Sequence, residues 1–364
     1  MKLRELIRYF DREIPLSFQE DYDNSGLQVG DPDQEVNSAL LTLDVTEDVL
    51  EEAIKKGCDL IVSHHPLIFK PLKRLTGKTV TERIIRKAIL NGIAIYALHT
   101  NLDAINFGVS RKMAEKLGLK DVRVLVPLAG RLRKMVTFVP TSHYEKVSKA
   151  VFEAGAGKIG NYDLCGFGVE GIGSFRPGEG SSPFVGSIGK EHKESEIRFE
   201  TVFWEHDKVR VVDALLKSHP YEEVAYDIYI LENDNIDIGF GCIGDTVKEI
   251  DEMVFLNNLK EIFGANGIRY TSLTGKKIKK VALCGGSGSG FLKEAIAGGA
   301  DAFVTADVKY HTFFDAEGRI LLADIGHYES EKFSLEILKD LIVKKFPNFA
   351  TLFSGLNSNP VNYL

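Results

Sequence analysis

A pattern of strand, helix and strand occurs in the first third of this chain and again in the last third. The two copies share identical residues at one constant offset, and the matching pairs are Leu50 and Leu292, Glu52 and Glu294, Ala53 and Ala295, Ile54 and Ile296, Gly57 and Gly299, Asp59 and Asp301, and Val62 and Val304. Strands that alternate with helices form right-handed βαβ units in a mostly parallel sheet. Chance could give a few identities, but the shared order of elements favours a duplicated α/β core.

Hydrophobic spacing and capping residues predict the individual elements of this core. Thr46 is the expected N-cap of one helix, because its hydroxyl can accept a hydrogen bond from the first turn. The predicted helices are residues 2–13, 46–56 and 79–90. The predicted strands are residues 38–45, the apolar run between Gly57 and Pro66, and residues 93–98, 282–284, 302–307 and 320–325.

The middle of the chain has a different character from the two outer thirds. Residues 126–238 are rich in predicted strands and contain a glycine-dense tract from Gly155 to Gly189. This order of elements indicates a compact α+β module. We therefore expect two domains: an α/β core made of residues 1–125 and 239–364, and an inserted α+β domain of residues 126–238. Asn233-Asp234-Asn235 and Gly239-Phe240-Gly241 are the expected return hinge.

Composition excludes several classes of protein. No apolar run approaches the ~18 residues that a membrane span needs, and the first residues lack a signal-peptide core, so we expect a cytoplasmic protein that does not bind membranes. The four cysteines are widely spaced, which argues against a disulfide framework or a thiolate zinc site. A net charge of −7 disfavours bulk binding to nucleic acid.

Ionisable residues collect where predicted strands end, and ligands bind outside the carboxyl ends of strands in open α/β sheets. The residues in these positions are His64, His65, His99, Asp103, Asp307, His311 and His327. Adjacent side chains of a strand point to opposite faces, so His64 and His65 converge only if the chain bends or if two ligand sites lie side by side. The alternative is an ordinary pair of histidines beside the turn residue Pro66.

His327 and Glu331 are four residues apart and share a face if a helix begins after Gly326. As an isolated pair they are more typical of a helix surface. Together with the other groups at the strand ends, they predict a metal site. Three imidazoles and two carboxylates suit zinc, iron or manganese better than calcium, and a pair of such ions makes hydrolysis the default chemistry.

Two further segments near these strand ends have open interpretations. Lys309 and Tyr310, beside Asp307 and His311, can bind substrate anions or donate protons, or can belong to a solvated loop. The glycine-rich stretch 284–290 follows a strand and precedes a helix, so it is either an anion-binding loop or a tight turn.

Five motifs in order resemble the GTP cyclohydrolase 1 type 2 homologues, also called NGG-interacting-factor-three-like proteins. They are Asp23-Asn24-Ser25-Gly26-Leu27-Gln28-Val29-Gly30, Ser63-His64-His65-Pro66, His99-Thr100-Asn101-Leu102-Asp103, Ala306-Asp307-Val308-Lys309-Tyr310-His311 and Gly326-His327-Tyr328-Glu329-Ser330-Glu331. Tyr22 departs from the tryptophan expected before Asp23, but it keeps an aromatic ring. The middle segment, with His219-Pro220-Tyr221-Glu222-Glu223, is similar to the PII-like or CutA-like insert of longer bacterial members.

The resemblance implies a specific metal centre and assembly. Two divalent ions, zinc in the first place and iron or manganese as alternatives, would be bound by His64, His65, Asp103, His327 and Glu331. His99 would be a near neighbour of the ions. Six subunits would form a hollow homohexameric toroid with the sites facing inward.

These observations lead to an expected function with one main alternative. The first is a dinuclear metal-dependent hydrolase that acts on a nucleotide or related small molecule, with GTP cyclohydrolase-like chemistry and His99, Lys309 and His311 as candidate catalytic residues. The alternative is a non-catalytic metal chaperone or regulator whose insert senses a ligand. A nucleic-acid-binding ring is a third possibility, which the negative charge disfavours.

Overall fold

The computed structural model describes residues 1–233 and 235–364. Contacts divide the chain into two compact units: unit 1 is Met1–Leu128 with Asn235–Leu364, and unit 2 is Ala129–Asp234. The predicted hinge at 233–235 includes Asp234, which lies outside the described residues.

The helices of the described residues are α1 (Leu3–Glu13), α2 (Glu47–Lys56), α3 (Val80–Leu90), α4 (Thr100–Ala104), α5 (Val109–Lys116), α6 (Tyr144–Glu153), α7 (Lys208–Ser218), α8 (Glu252–Phe263), α9 (Leu292–Ala297), α10 (His327–Glu331) and α11 (Ser334–Lys345). The strands are β1 (Gly26–Val29), β2 (Ser38–Thr42), β3 (Leu60–Ser63), β4 (Ala94–Ala97), β5 (Lys120–Leu128), β6 (Leu132–Pro140), β7 (Gly166–Phe175), β8 (His192–Trp204), β9 (Tyr226–Leu231), β10 (Asn235–Asp251), β11 (Arg269–Tyr270), β12 (Lys277–Leu283), β13 (Ala302–Thr305), β14 (Leu321–Asp324) and β15 (Ala350–Phe353). None of these helices is long and apolar enough to cross a membrane.

Unit 1 contains two sheets whose centres have the same plan. The first sheet has the order β1-β4-β3-β2-β15, in which β15, β2, β3 and β4 are parallel and β1 is antiparallel to β4. The second has the order β11-β14-β13-β12-β10-β5, in which β12, β13 and β14 are parallel. β11, β10 and β5 pair antiparallel, so this second sheet is mixed. The α/β fold class and its mostly parallel first sheet are as predicted.

The two copies of the strand–helix–strand pattern also share hydrogen bonds. Asp59 Oδ2 accepts a hydrogen bond from the Asn37 backbone N–H at 2.8 Å. Asp301 Oδ2 accepts the corresponding bond from the Lys279 N–H at 2.9 Å, and a second from the Lys280 N–H at 2.8 Å. Each aspartate therefore ties the start of one strand to the start of its neighbour.

The helix in each copy ends at a glycine in the left-handed conformation. The φ angle is 67° at Gly57 and 75° at Gly299, a region in which residues with a Cβ are strained. The next residue folds back in both copies: the Cys58 N–H donates to a carbonyl of α2 and the Ala300 N–H to the equivalent carbonyl of α9. At the other end of α2, the Thr46 hydroxyl accepts from the Val49 N–H at 3.2 Å, as predicted.

Unit 2 has the element order β6-α6-β7-β8-α7-β9 and an antiparallel sheet of order β7-β8-β6-β9. This βαββαβ order is that of a ferredoxin-like fold. One face of its sheet packs on the two helices through a buried cluster that includes Met135, Val139, Val147, Phe199 and Val211. The predicted boundaries at residues 126 and 238 fall within β5 and β10, which pair with each other in unit 1.

Candidate metal centre

Four imidazoles lie together in unit 1 because each follows the carboxyl end of a buried parallel strand. His64 and His65 come directly after β3, and His99 is the second residue after β4. His327 is the first residue of α10, which follows β14. The ring centroid of His65 lies 5.1 Å from that of His64, 5.4 Å from that of His99 and 5.2 Å from that of His327. His65 is therefore the centre of the cluster.

Glu331 brings a buried carboxylate into this group of rings. Its Oε2 lies 2.9 Å from His65 Nε2, 3.0 Å from His327 Nε2 and 3.7 Å from His64 Nε2. His327 and Glu331 are four residues apart on α10, so both side chains project from one face of this helix. Only 2 % of Glu331 is exposed, so its carboxylate is surrounded by these imidazoles and not by water.

The far nitrogen, Nδ1, of each imidazole has a partner outside the cluster. For His64 that partner is a backbone carbonyl, which can only accept, so Nδ1 carries the hydrogen and Nε2 presents its lone pair. The other partners are carboxylates, which orient rings in the same way in metal sites. The pairs are His64 with the Leu98 carbonyl at 2.8 Å, His65 with Asp44 at 2.7 Å, His99 with Asp23 at 2.8 Å and His327 with Asp307 at 2.7 Å.

Two buried atoms of the cluster show that it fits a cation. His64 Nε2 and Asp103 Oδ1 are buried, and neither has a hydrogen-bond partner within the described residues. They lie 3.8 Å apart, and both are acceptors when the imidazole is neutral. Buried acceptors without a donor are costly, and a metal ion between them would satisfy both. Nitrogen and oxygen ligands of this kind suit zinc, iron or manganese.

The potential ligand atoms form two groups that overlap at His65. One group is His64, His65 and His99, and the other is His65, His327 and Glu331; within each group the ligand atoms lie within 4.8 Å of one another. The structure thus places a cluster of His and Glu side chains that could hold metal.

The groups of the cluster perturb one another's protonation. Burial lowers the pKa of His65, but the hydrogen bonds with Asp44 and Glu331 together raise it by a larger amount, so the pKa is about 9. Burial also lowers the pKa of His327, but the hydrogen bonds and charges of Asp307 and Glu331 together raise it by more, to about 11. Burial raises the pKa of Asp103 to about 7. Burial also acts to raise the pKa of Glu331, but the surrounding imidazoles lower it well below its usual range. Metal binding here must displace protons.

The glycine-rich turn after β12 serves this cluster. Gly286 has a φ of 60°, and a Cβ at this position would collide with Oε1 of Glu331. The Gly286 N–H donates to Ser330 Oγ at 2.9 Å, and the Gly288 N–H donates to Thr305 Oγ1 at 3.0 Å. Because these N–H groups are used within the protein, the stretch is a tight turn that makes room for a carboxylate.

Comparison with known proteins agrees with this arrangement over the whole chain. Residues 1–360 match the model of the family described as Duf34/NIF3 (NGG1p interacting factor 3). The chain belongs to the NIF3 family. Relatives named GTP cyclohydrolase 1 type 2 homolog are 41 % identical in Halalkalibacterium halodurans and 38 % identical in Bacillus subtilis, and each match covers 99 % of this chain and 98 % of the relative. A crystal structure of a Bacillus cereus protein related to NIF3 superposes with a TM-score of 0.83 at 38 % identity, covering 100 % of this chain and 99 % of that one.

The other predicted site residues of this NIF3 protein fall in different surroundings. His99 lies within the imidazole cluster, with Nδ1 bonded to Asp23. Lys309 and His311 are exposed, and His311 packs against the ring of Tyr310 at 5.2 Å. Across residues 1–233 and 235–364, no hydrogen bond or ion pair joins Lys309 or His311 to the imidazoles.

Several groups that support the NIF3 cluster were not predicted. Asp44 lies two residues beyond β2, so the strand-end argument that selected the histidines could have selected it. Asp23 belongs to one of the five motifs, but its partner His99 is 76 residues away, and sequence spacing does not predict that contact. Ser358, whose hydroxyl donates to Asp44 Oδ2 at 2.8 Å, is 314 residues away and carries no local signal.

Two aromatic side chains lie beside the cluster, and basic residues follow one of them in sequence. The rings of Tyr22 and Phe69 are 6.3 Å apart, and the Phe69 ring is also 6.3 Å from that of His99. Tyr22 and Phe69 are 64 % and 44 % exposed. The same loop continues with the exposed cations Lys70, Lys73 and Arg74.

Proposed function

We propose that this protein is a dinuclear metal-dependent hydrolase of a nucleotide or a related small molecule. The observation that carries the proposal is the pair of buried acceptors, His64 Nε2 and Asp103 Oδ1, beside a carboxylate already surrounded by imidazoles. Such a set of groups is unfavourable without a cation. The names of the relatives support the same direction, because GTP cyclohydrolase chemistry is a hydrolysis.

The proposed ligands are His64, His65, Asp103, His327 and Glu331. Divalent ions held by them would supply Lewis acidity and activation of water for attack on the substrate. Asp44 and Asp307 would hold the rings of His65 and His327 in place.

His99 is the proposed proton acceptor. Its Nδ1 faces Asp23. Burial raises the pKa of this carboxyl, but the hydrogen bonds from His99 and Thr100 and the charge of His99 together lower it by more, so the pKa falls well below its usual range. Asp23 therefore stays ionised and keeps the hydrogen on Nδ1. The Nε2 of His99 is left to accept a proton from a reacting group. Lys309 and His311 stay candidates for contact with the substrate from an exposed loop.

The aromatic rings beside the cluster and the cations that follow Phe69 in its loop suit a substrate that carries an aromatic base and an anionic group. A base could stack on Tyr22 and Phe69, and Lys70, Lys73 and Arg74 could bind phosphate. This pairing of aromatic and basic groups is the reason for proposing a nucleotide substrate.

Metal analysis combined with turnover tests the proposal. We expect two ions per chain in the purified protein and metal-dependent hydrolysis of GTP or another nucleotide, with turnover lost in His64→Ala. His143→Ala, which removes a histidine of unit 2, is the matched control and should keep both. Two ions without turnover of any nucleotide would instead support the non-catalytic metal chaperone or regulator. The hexameric toroid stays a prediction, which light scattering of the intact protein would check.

A further inference from the structure

Unit 2 contains a cavity of about 760 Å³ on the face of its sheet that does not pack on the helices. Met135, Val139 and Phe199 point to the helices and belong to the buried cluster. The alternate residues Phe138 and Glu196 line the cavity. Its other wall is the segment 176–191, which contributes Pro177, Pro183, Phe184 and Val185. The volume lies within the range of ~300–1,000 Å³ typical of sites for small molecules.

Hydrogen bonds hold the outer wall of this cavity in place. The Ser182 backbone N–H donates to Glu222 Oε1 at 2.8 Å, which ties the segment 176–191 to the loop after α7. Within the segment, the Gly189 N–H donates to the Pro177 carbonyl at 2.8 Å. The wall is thus held in place by the protein without a ligand.

Three aromatic rings stand together in the wall. The ring centroid of Tyr221 is 5.8 Å from that of Phe175 and 6.2 Å from that of Phe184. Phe138 adds a fourth ring to the lining. Aromatic faces carry negative charge density and attract cations, most strongly where water is excluded.

A buried carboxylate lies among these rings. Glu196 is only 7 % exposed, and its Oε1 accepts a hydrogen bond from the Tyr221 hydroxyl at 2.8 Å. A glycine on the neighbouring strand leaves room for it: a Cβ at Gly173 would collide with Glu196 Oε2. A charge buried beside one hydroxyl is costly unless a cation compensates it.

The other charged groups of the lining leave an excess of negative charge. Glu170, Glu222 and Glu223 join Glu196, against Arg176 and Arg198. The guanidinium of Arg198 is already engaged, because its Nε donates to Glu200 at 2.8 Å. The cavity therefore combines a mostly apolar wall with uncompensated carboxylate.

We propose that this cavity binds an organic cation, an ammonium group attached to an apolar body. The ammonium would lie against Glu196 and the faces of Phe175, Phe184 and Tyr221, and the apolar body would fill the space beneath segment 176–191. A site of this kind gives unit 2 a ligand of its own, independent of the hydrolase assignment for unit 1.

Calorimetric titration of the intact protein with three probes of equal chain length tests the charge requirement. We expect hexyltrimethylammonium to bind at least about tenfold more tightly than 1-hexanol, and hexyl sulfate to bind more weakly than either. Equal binding of the alcohol, tighter binding of the sulfate, or no binding of the cation would overturn the assignment.

Variants test the residues. Glu196→Gln keeps the shape of the side chain and its bond with Tyr221, so it should fold, yet it should weaken binding of the cation about tenfold. Phe184→Ala, in the exposed segment, should weaken binding about threefold to tenfold by removing one aromatic face. Glu153→Gln, at the exposed end of α6, is the matched control and should leave binding unchanged. An unchanged affinity in both Glu196→Gln and Phe184→Ala would show that the site is not this one.

Discussion

The two halves of unit 1 share a scaffold but differ in the chemistry at their strand ends. In both, a half-buried aspartate ties neighbouring strands and a left-handed glycine ends the helix. After β3 the chain presents His64 and His65, whereas after the equivalent β13 it presents Ala306 and Asp307. The first half thus supplies three imidazoles, and the second supplies one imidazole with the carboxylate that contacts them. The two halves thus keep the same scaffold, and the different residues at their strand ends make the site asymmetric.

The largest expected effect comes from the carboxylate of the second half. Glu331→Gln removes the charge that lies within 3.7 Å of His64, His65 and His327, so metal content measured by mass spectrometry should fall to less than about a fifth of the original. Asp103→Asn should lower the metal content less, because Asp103 Oδ1 lies 3.8 Å from His64 Nε2, a longer distance than those of Glu331.

The fold should survive both substitutions, since neither side chain belongs to the hydrophobic core of the sheets. Glu336 lies on α11, the helix after Glu331, in a half-buried ion pair with Lys116. Glu336→Gln is the matched control and should keep its metal. Full metal content in both Glu331→Gln and Asp103→Asn would refute the ligand assignment.

A second comparison concerns the carboxylates that hold the rings. Asp44→Asn and Asp307→Asn should weaken metal affinity, measured by competition with a chelator, by about 10- to 100-fold, the range typical of outer partners. We expect the larger loss for Asp44, because its side chain is 35 % exposed against 51 % for Asp307 and because Ser358 also orients it. A larger loss of metal affinity in Asp307→Asn than in Asp44→Asn would contradict this prediction.

The shared scaffold should respond in stability without a change in metal. Asp301→Asn should lower the free energy of unfolding by about 2 kcal/mol and Asp59→Asn by about 1 kcal/mol, since the first loses a charged acceptor of two backbone N–H groups and the second mainly of one. Denaturant unfolding beside metal analysis checks both numbers. Metal loss in either variant would show that scaffold and site are not separable.

The smallest effect should be equal in the two halves. Gly57→Ala and Gly299→Ala each place a Cβ where no atom lies within 4 Å, so the cost is confined to the left-handed backbone, about 1 kcal/mol. Thermal unfolding should therefore show matching shifts. Unequal shifts would mean that the two helix ends are less alike than their hydrogen bonds indicate.

The parts that sequence predicted are those with local causes. The strand at β3 and the helix α2 follow from runs of apolar residues, a capping threonine and a terminal glycine within about 20 residues of one another. The family followed from motifs, and the whole-chain match confirmed it. The carboxyl ends of parallel strands meet at one edge of an α/β sheet, and this rule is enough to predict that His64, His65 and His327 lie together.

The parts that sequence did not predict depend on distant contacts. The bond of Ser358 to Asp44 and the antiparallel pairing of β5 with β10 join segments far apart in the chain, and no periodicity records them. The mixed character of the second sheet also depends on distant contacts, because β5 precedes unit 2 in the sequence and its partner β10 follows unit 2. The sequence shows a glycine at 286, but only the position of Glu331 explains why a side chain cannot replace it.

The contact between His65 and Glu331 spans 266 residues, with all of unit 2 between them. At ~5–20 residues per second, a ribosome needs roughly 10 to 50 s to travel from one to the other. During that interval the nascent chain carries three of the imidazoles without the carboxylate that completes their surroundings. Of the two groups of potential ligand atoms, the one formed by His65, His327 and Glu331 can therefore assemble only after residue 331 has been synthesised, whereas His64, His65 and His99 are present much earlier.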